Sequence, residues 1–325
     1  MNDLQIKIYT HSKDLPVMTC RNLFHSVELF RLYEQTPRHT PYMVVAQTAG
    51  GDVLAHLLAV TRCRWSFFPP YIYMHCHVFG EGEYTAKDIP AEELFMQMTC
   101  ALDKKMRYKV LYTEYSNLST KMFGYKVFRC HDYFPVHWMS IHNSLHNKNP
   151  EERLNERTSR YIKNATNKGV VTKLVDTETD FEEFSHLLRC HNRLKPRKYI
   201  PDDSFFKGLM NLDCARLFLC RYKEKAIGCC ACVYSGGNAY LWYMASLRKS
   251  YLSLHPDTVT IWAAIRNAYE EGCDHIFFMD VGLPFKRNPF REFILKFGGK
   301  PVSTYRWFHI YNDVLNRIFS WIYRE

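Results

Sequence analysis

No apolar run in this chain approaches the roughly eighteen residues a helix needs to cross a bilayer. Positions 1–17 carry charged and polar side chains where a leader would have its apolar stretch, so no secretory signal is expected. Heptad repeats are missing, which excludes a coiled-coil arm. No recognised nucleic-acid motif accompanies the basic residues, which makes nucleic-acid binding a weak reading of the main role. One C-x-x-C spacing occurs, Cys229-Cys230-Ala231-Cys232, without a second pair to complete a metal site. It falls in an apparent strand, where neighbouring side chains leave on opposite faces, so it reads as buried small hydrophobes. His75-Cys76-His77 reads the same way.

What is present points to a folded chain with an anionic partner. Hydrophobic residues make up 47% and aromatics 15% of 325 residues, enough for a large core or two domains. The net charge is +10, spread along the chain rather than gathered in a tail, which suits a phosphorylated substrate, an RNA or an acidic membrane surface. Twelve cysteines without a secretory signal suggest reduced thiols in the cytoplasm.

The most legible stretch is 240–299. Tyr240 to Ser246 reads as a strand. Pro256-Asp257 opens a helix over 258–271, in which Ile261, Trp262, Ile265, Ala268 and Tyr269 recur at helical spacing before Gly272. The apolar run 276–281 then reads as a strand buried on both faces. Asp280 lies at its carboxyl end, where open α/β sheets place ligands.

The first half repeats this order. A strand and helix over 4–33 precede a hairpin (42–46 and 53–60), a Pro-rich aromatic loop (65–73), a helix over 91–106 and a strand over 109–114. The second half offers a hairpin (215–221 and 226–234), the helix, the strand and Phe297-Gly298. Gly50 to Gly124 and Glu224 to Gly298 have equal spacing, which sets Glu114 opposite Asp280. Two copies of one α/β unit are expected, 1–148 and 149–325. A basic linking helix over 149–169 is capped by Asn149 and Pro150, with Arg153, Arg157, Arg160 and Lys163 on one side.

Arg160-Tyr161-Ile162-Lys163-Asn164-Ala165-Thr166-Asn167-Lys168-Gly169-Val170 resembles the R-x-I-x-x-A-x-x-x-G-V helix of the Fem-type peptidoglycan bridge aminoacyltransferases and their GNAT-like acyltransferase relatives. In matching order follow 181–188, the basic turn 193–199, Tyr243-Met244-Ala245-Ser246, Asp280-Val281-Gly282 and 293–299. The resemblance runs over most of the chain and is strongest over 150–300. It implies an α/β (α+β) fold of tandem GNAT-like domains, each a mixed twisted sheet flanked by helices, with a cleft between them. It also implies transfer of an acyl or aminoacyl group to an amine of a peptidoglycan or surface-polysaccharide precursor. The donor would be acyl-CoA or aminoacyl-tRNA, with no tightly bound cofactor and no metal. The family usually has F-K-x-x-F-G near the end, whereas this chain has Phe293-Ile294-Leu295-Lys296-Phe297-Gly298. Lys286, Arg291 or Lys296 would have to supply the missing charge. The R-x-x-G-x-G phosphate loop of ordinary acetyl-CoA enzymes is absent.

Acyl transfer to an amine needs a proton acceptor and donors aimed at the oxyanion. Asp280, His255 and Lys296 are the catalytic candidates, the first two against the simpler readings of a loop cap and a solvent-facing histidine. Arg160, Lys163, Arg193, Arg197, Lys286 and Arg291 are candidates for the substrate's anionic groups, with Tyr199 as a further contact and Tyr243, Ser246 and Tyr251 either touching substrate or only lining the sheet. Partners expected are a nucleotide- or lipid-linked envelope precursor and tRNA. The amphipathic segment 312–325, flanked by Arg317 and Arg324, would either dock on its own domain or rest on the inner face of an anionic membrane. The alternative function is a catalytically inactive relative that holds an anionic glycan precursor or RNA.

Overall fold

The computed structural model describes residues 4–323 apart from 68–69, 87, 147, 194–198 and 280; of 65–67 and 70–71 the main chain alone is described. In chain order the elements are β1 (Gln5–Tyr9), α1 (Val27–Gln35), β2 (His39–Gln47), β3 (Val53–Phe67), β4 (Pro70–Phe79), β5 (Glu83–Tyr84), α2 (Ala91–Met106), β6 (Tyr112–Ser116), α3 (Tyr125–Cys130), β7 (Phe134–Ser144), α4 (Glu156–Asn167), β8 (Val170–Leu174), α5 (Glu178–Asn192), α6 (Asp203–Met210), β9 (Ala215–Tyr222), β10 (Lys225–Ser235), β11 (Asn238–Ser246), α7 (Pro256–Glu270), β12 (His275–Phe278), α8 (Pro289–Ile294), β13 (Lys300–Ile310) and α9 (Asp313–Ile322). No helix among the described residues is long and apolar enough to cross a membrane. All twelve cysteines are free.

Two compact units result, one of Met1–Trp138 with Ser303–Glu325 and one of Met139–Val302. In the first, the strands follow the order β1-β2-β3-β4-β6-β13, with β5 paired to β3. In the second, the order is β8-β9-β10-β11-β12 followed by the end of β7. Each unit is a meander of four antiparallel strands, a crossover helix (α2 or α7), and a fifth strand parallel to the fourth. The sequence repeat is thus one module used twice, and the fold is a tandem α/β arrangement of mixed sheets flanked by helices.

The halves exchange their last strand. β13 pairs antiparallel with β6, placing Trp307 opposite Tyr115 and Phe308 opposite Glu114. The end of β7 pairs antiparallel with β12, Ile141 opposite Phe278 and Ser144 opposite His275. For this reason the expected division at 148/149 differs from the observed one: 303–325 complete the first unit, and 139–148 belong to the second.

The core of the first unit forms where Leu94, Phe95, Met98 and Leu102 of α2 meet Val44, Ala46, Leu57 and Val78 of the sheet, closed by Trp307. That of the second joins Ile261, Trp262, Ile265 and Ala268 of α7 to Cys230, Cys232, Leu241, Ile276 and Phe278. Cys229 and Cys230 point to opposite sides of β10, one against the Phe184 carbonyl of α5 and the other against the Thr260 carbonyl of α7. The C-x-x-C residues are therefore packing groups, and burial pushes the Cys232 thiol up to about 12.

Two further expectations change. Positions 65–73 do not form an open loop, because Arg64 to Phe67 pair with Pro70 to Tyr73 and prolong a hairpin. The linking helix is broken. Pro150–Arg153 forms a short 3-10 turn, Leu154 turns toward the core, and Asn155 starts α4 by accepting the Thr158 N–H at 2.7 Å.

Candidate functional site

The second unit places its most distinctive chemistry where β11 outruns its neighbour. The β11–β12 ladder ends at Leu241 opposite Phe278, while β11 continues to Ser246. On its other edge β11 carries a bulge at Trp242, since Ala231 faces Tyr243 and Cys232 faces Leu241. A bulge raises local twist and re-aims the strand, and beyond it β11 runs on past the last residue of β12.

The helix that follows is pressed against this end. Gly228 lies opposite Ser246, and a Cβ there would fall 2.1 Å from Thr260 Oγ1 and 3.3 Å from the Pro256 carbonyl oxygen. The missing side chain lets the first turn of α7 sit on the strand. The N–H groups of that turn and the helix dipole favour an anion at this end. Asp257 occupies part of this field, accepting the Thr258 N–H at 3.0 Å and facing Arg248 Nε at 3.4 Å.

Cations surround the same helix end. His255, the residue before Pro256, adopts the left-handed region (φ 44°) and stacks on Tyr161 of α4 with ring centroids 3.7 Å apart. Arg157 donates to the Tyr161 hydroxyl, and its guanidinium lies 5.4 Å from that ring. Lys168 reaches the Ser253 carbonyl at 3.4 Å. Burial, then the positive charges of Arg248, Lys168 and Arg157, hold the His255 imidazole below its ordinary value despite the opposing pull of Asp257. At neutral pH it is therefore an uncharged ring within a basic surround.

The sequence candidates fall into different groups. His255, Ser246 and Tyr251 belong to this end of the unit. Ser246 is buried, and Tyr251 is half-buried with Tyr222 at 6.4 Å. Tyr243 is buried among Phe205 and Phe206 of α6, at 6.4 and 5.1 Å. Arg160 and Lys163 are exposed on α4, but the cations that act on His255 are Arg248, Lys168 and Arg157. Positions 157, 161, 164 and 168 recur at helical spacing along the face that meets His255, with 160 at its margin and 163 further round. Arg193 is exposed at the end of α5 and Tyr199 is half-buried. Asp280 and Arg197 lie outside the described residues.

The segment after β12 forms a separate group. Asn288 caps α8 and donates to the Val281 carbonyl at 2.8 Å. Arg291 donates to the carbonyls of Leu283 (2.8 Å), Pro284 (3.4 Å) and Lys286 (2.7 Å). Its guanidinium is thus committed to shaping the 283–286 loop. Lys286 and Lys296 are exposed, and the Lys296 carbonyl accepts the Asn155 N–H at 3.5 Å. Ile294 is fully buried in the core beside Phe297, so this position offers no charge to a substrate. A Cβ on Gly298 (φ 84°) would lie 2.7 Å from the Arg153 carbonyl oxygen, so the Phe297-Gly298 pair is a packing requirement.

The residues that sequence reading left out of the candidate site are Arg248, Lys168 and Tyr161. Arg248-Lys249 just ahead of Pro256-Asp257 was the available signal. Among the described residues no cluster of histidine, cysteine and carboxylate side chains forms a metal site.

Residues 153–287 match the family model described as an acetyltransferase (GNAT) domain. No curated protein matches the chain. Among solved structures, FemX aligns with a TM-score of 0.64 at 10% identity, over 92% of this chain and 94% of its own. L-PGS from Bacillus licheniformis aligns at 0.59 and 10%, over 92% of both chains. A tandem GNAT protein from the clavulanic acid biosynthesis pathway aligns at 0.59 and 10%, over 95% of this chain and 99% of its own. The chain therefore has the tandem GNAT-like fold that its motif order resembles.

Proposed function

We propose that this chain is an N-acyltransferase that moves an acyl or aminoacyl group from a phosphate-bearing donor, acyl-CoA or aminoacyl-tRNA, to an amine of an anionic cell-envelope precursor. The observation that carries the reading is the basic end of α7 beside the far half of β11, which combines an anion site with a strand end that has outrun β12. The GNAT match over 153–287 spans this region, and FemX and L-PGS share the fold.

The chemistry requires that the acceptor ammonium lose a proton. Its lone pair then attacks the donor carbonyl. A C–N bond forms, the C–S or C–O bond to the donor breaks, and the second proton shed by the nitrogen ends on the leaving thiolate or alkoxide. His255, uncharged and at the helix end, accepts the first proton in this scheme; Asp280 orients the amine. Arg157, Lys168 and Arg248 hold phosphate oxygens. Free thiols and these donors would suit a reaction in the cytoplasm.

The test is transfer by purified protein from acyl-CoA and aminoacyl-tRNA donors across amino-sugar and peptide-amine acceptors. Product above a His255→Ala, Asp280→Ala control supports the reading, and its absence with every pair removes it. The second reading, a binding module without turnover, draws support from Ile294, which leaves the position uncharged. Calorimetric binding of a precursor without product would select it.

A further inference from the structure

α9 is amphipathic the wrong way round for a helix packed on its own unit. Its inward side is led by polar groups, with the Phe319 ring stacked 6.5 Å from Phe134 at one margin. Asn316 is buried, donates to the Asp132 carbonyl at 2.9 Å, and accepts the Ile310 N–H at 2.9 Å. Ser320 and Tyr323 are half-buried beside it, with the Tyr323 ring stacked 6.2 Å from Phe134. The outward side is apolar: Val314 is 67% exposed, Ile318 47%, Trp321 71% and Ile322 55%, with Leu315 and Phe319 at its edge. Exposing such a stripe to water is unfavourable unless something covers it.

The charge beside it identifies the cover. A pocket of about 340 Å³ is lined by Arg129, Asp132, Tyr133, Asn316, Arg317, Ser320 and Trp321. Arg129 and Arg317 are exposed, and neither forms an ion pair among the described residues. Lys126 is exposed one turn before Arg129 on α3. A tryptophan and two guanidiniums at the rim of an apolar strip suit the boundary between lipid headgroups and acyl chains. A helix of this length, about 15 Å, offers on the order of a few hundred Å² of apolar surface. That is well below the roughly 800 Å² per partner of a stable protein pair.

We propose that α9 lies in the surface of an anionic bilayer, with Val314, Ile318, Trp321 and Ile322 in the acyl boundary and Arg129 and Arg317 on a lipid phosphate. This binding is independent of the acyl-transfer reading, since α9 belongs to the other unit.

Cosedimentation of the full chain with phosphatidylcholine vesicles, with and without phosphatidylglycerol, tests it. The expected result is binding to the anionic vesicles only, reversed by salt. The double variant Arg129→Gln, Arg317→Gln should bind about twenty-five-fold more weakly, the product of two charges each contributing about five-fold. Ile318→Asp should abolish binding with an unchanged melting temperature, because the side chain is exposed. Failure of the unaltered chain to bind, or full binding by Ile318→Asp, overturns the proposal. Self-association without lipid that Ile318→Asp abolishes, together with no vesicle binding, assigns the face to a second copy and also overturns it.

Discussion

A basic helix end gives individual side chains separable effects. Arg157 and Arg248 flank His255, and a charged hydrogen bond to phosphate contributes about 1.5–3 kcal/mol. Arg157→Ala or Arg248→Ala should therefore raise the donor KM by roughly ten-fold or more while kcat changes little. Initial-rate kinetics read this directly, and a loss confined to kcat would remove these residues from phosphate binding. Ile294 makes the opposite prediction. Installing the family's lysine there buries an uncompensated charge in the core, so Ile294→Lys should cost about 3 kcal/mol or more without gain of activity. Ile294→Met should stay within about 1.5 kcal/mol. Urea unfolding of both variants settles the matter, and a stable, more active Ile294→Lys would show that the side chain reaches an opening after all.

Elements rather than residues determine what sequence could reveal. α2 and α7 were legible because caps, period and terminating signals agree within one stretch, and the parallel strand after each followed from the repeat. β7 and β13 were not, because their partners lie far away in the chain: Trp307 meets Tyr115, and Ile141 meets Phe278. No local pattern specifies such pairings. The anion site shows the same limit, since the basic face of α4 was readable but the cations that reach His255 depend on where α7 packs. Arg291 was visible as a cation, yet the carbonyls of the 283–286 loop claim it. Packing also makes β13 testable. Trp307 is fully buried and stacks 4.8 Å from Phe128, so Trp307→Ala should cost about 3–5 kcal/mol. Near-native stability on denaturant titration would contradict that role. Gly228→Ala should also be destabilising, by about 1–3 kcal/mol, because α7 must move off β10.

At the scale of the whole molecule, acid sensitivity follows from buried imidazoles. Burial, with His56 nearby, lowers His25 to about 3, and burial, with Arg62 nearby, lowers His39 to about 4. Both rings are neutral when folded and take up protons more readily when unfolded, so their contribution is complete above 6.5 and is lost as pH falls toward those values. Stability should decline by up to about 2.7 kcal/mol per pH unit from these two groups in that window. A urea midpoint that does not move across it would contradict the burial of these rings.

The exchange of final strands sets an order on biosynthesis. A ribosome emits β6 long before β13, and domains otherwise tend to fold as they emerge, N-terminal first. Here the earlier unit waits for residues 300–310, and until then β6 keeps an open flank able to pair with a foreign chain. Stalled or prematurely terminated products of this gene should accordingly be the aggregating ones, while the finished chain closes its own seam.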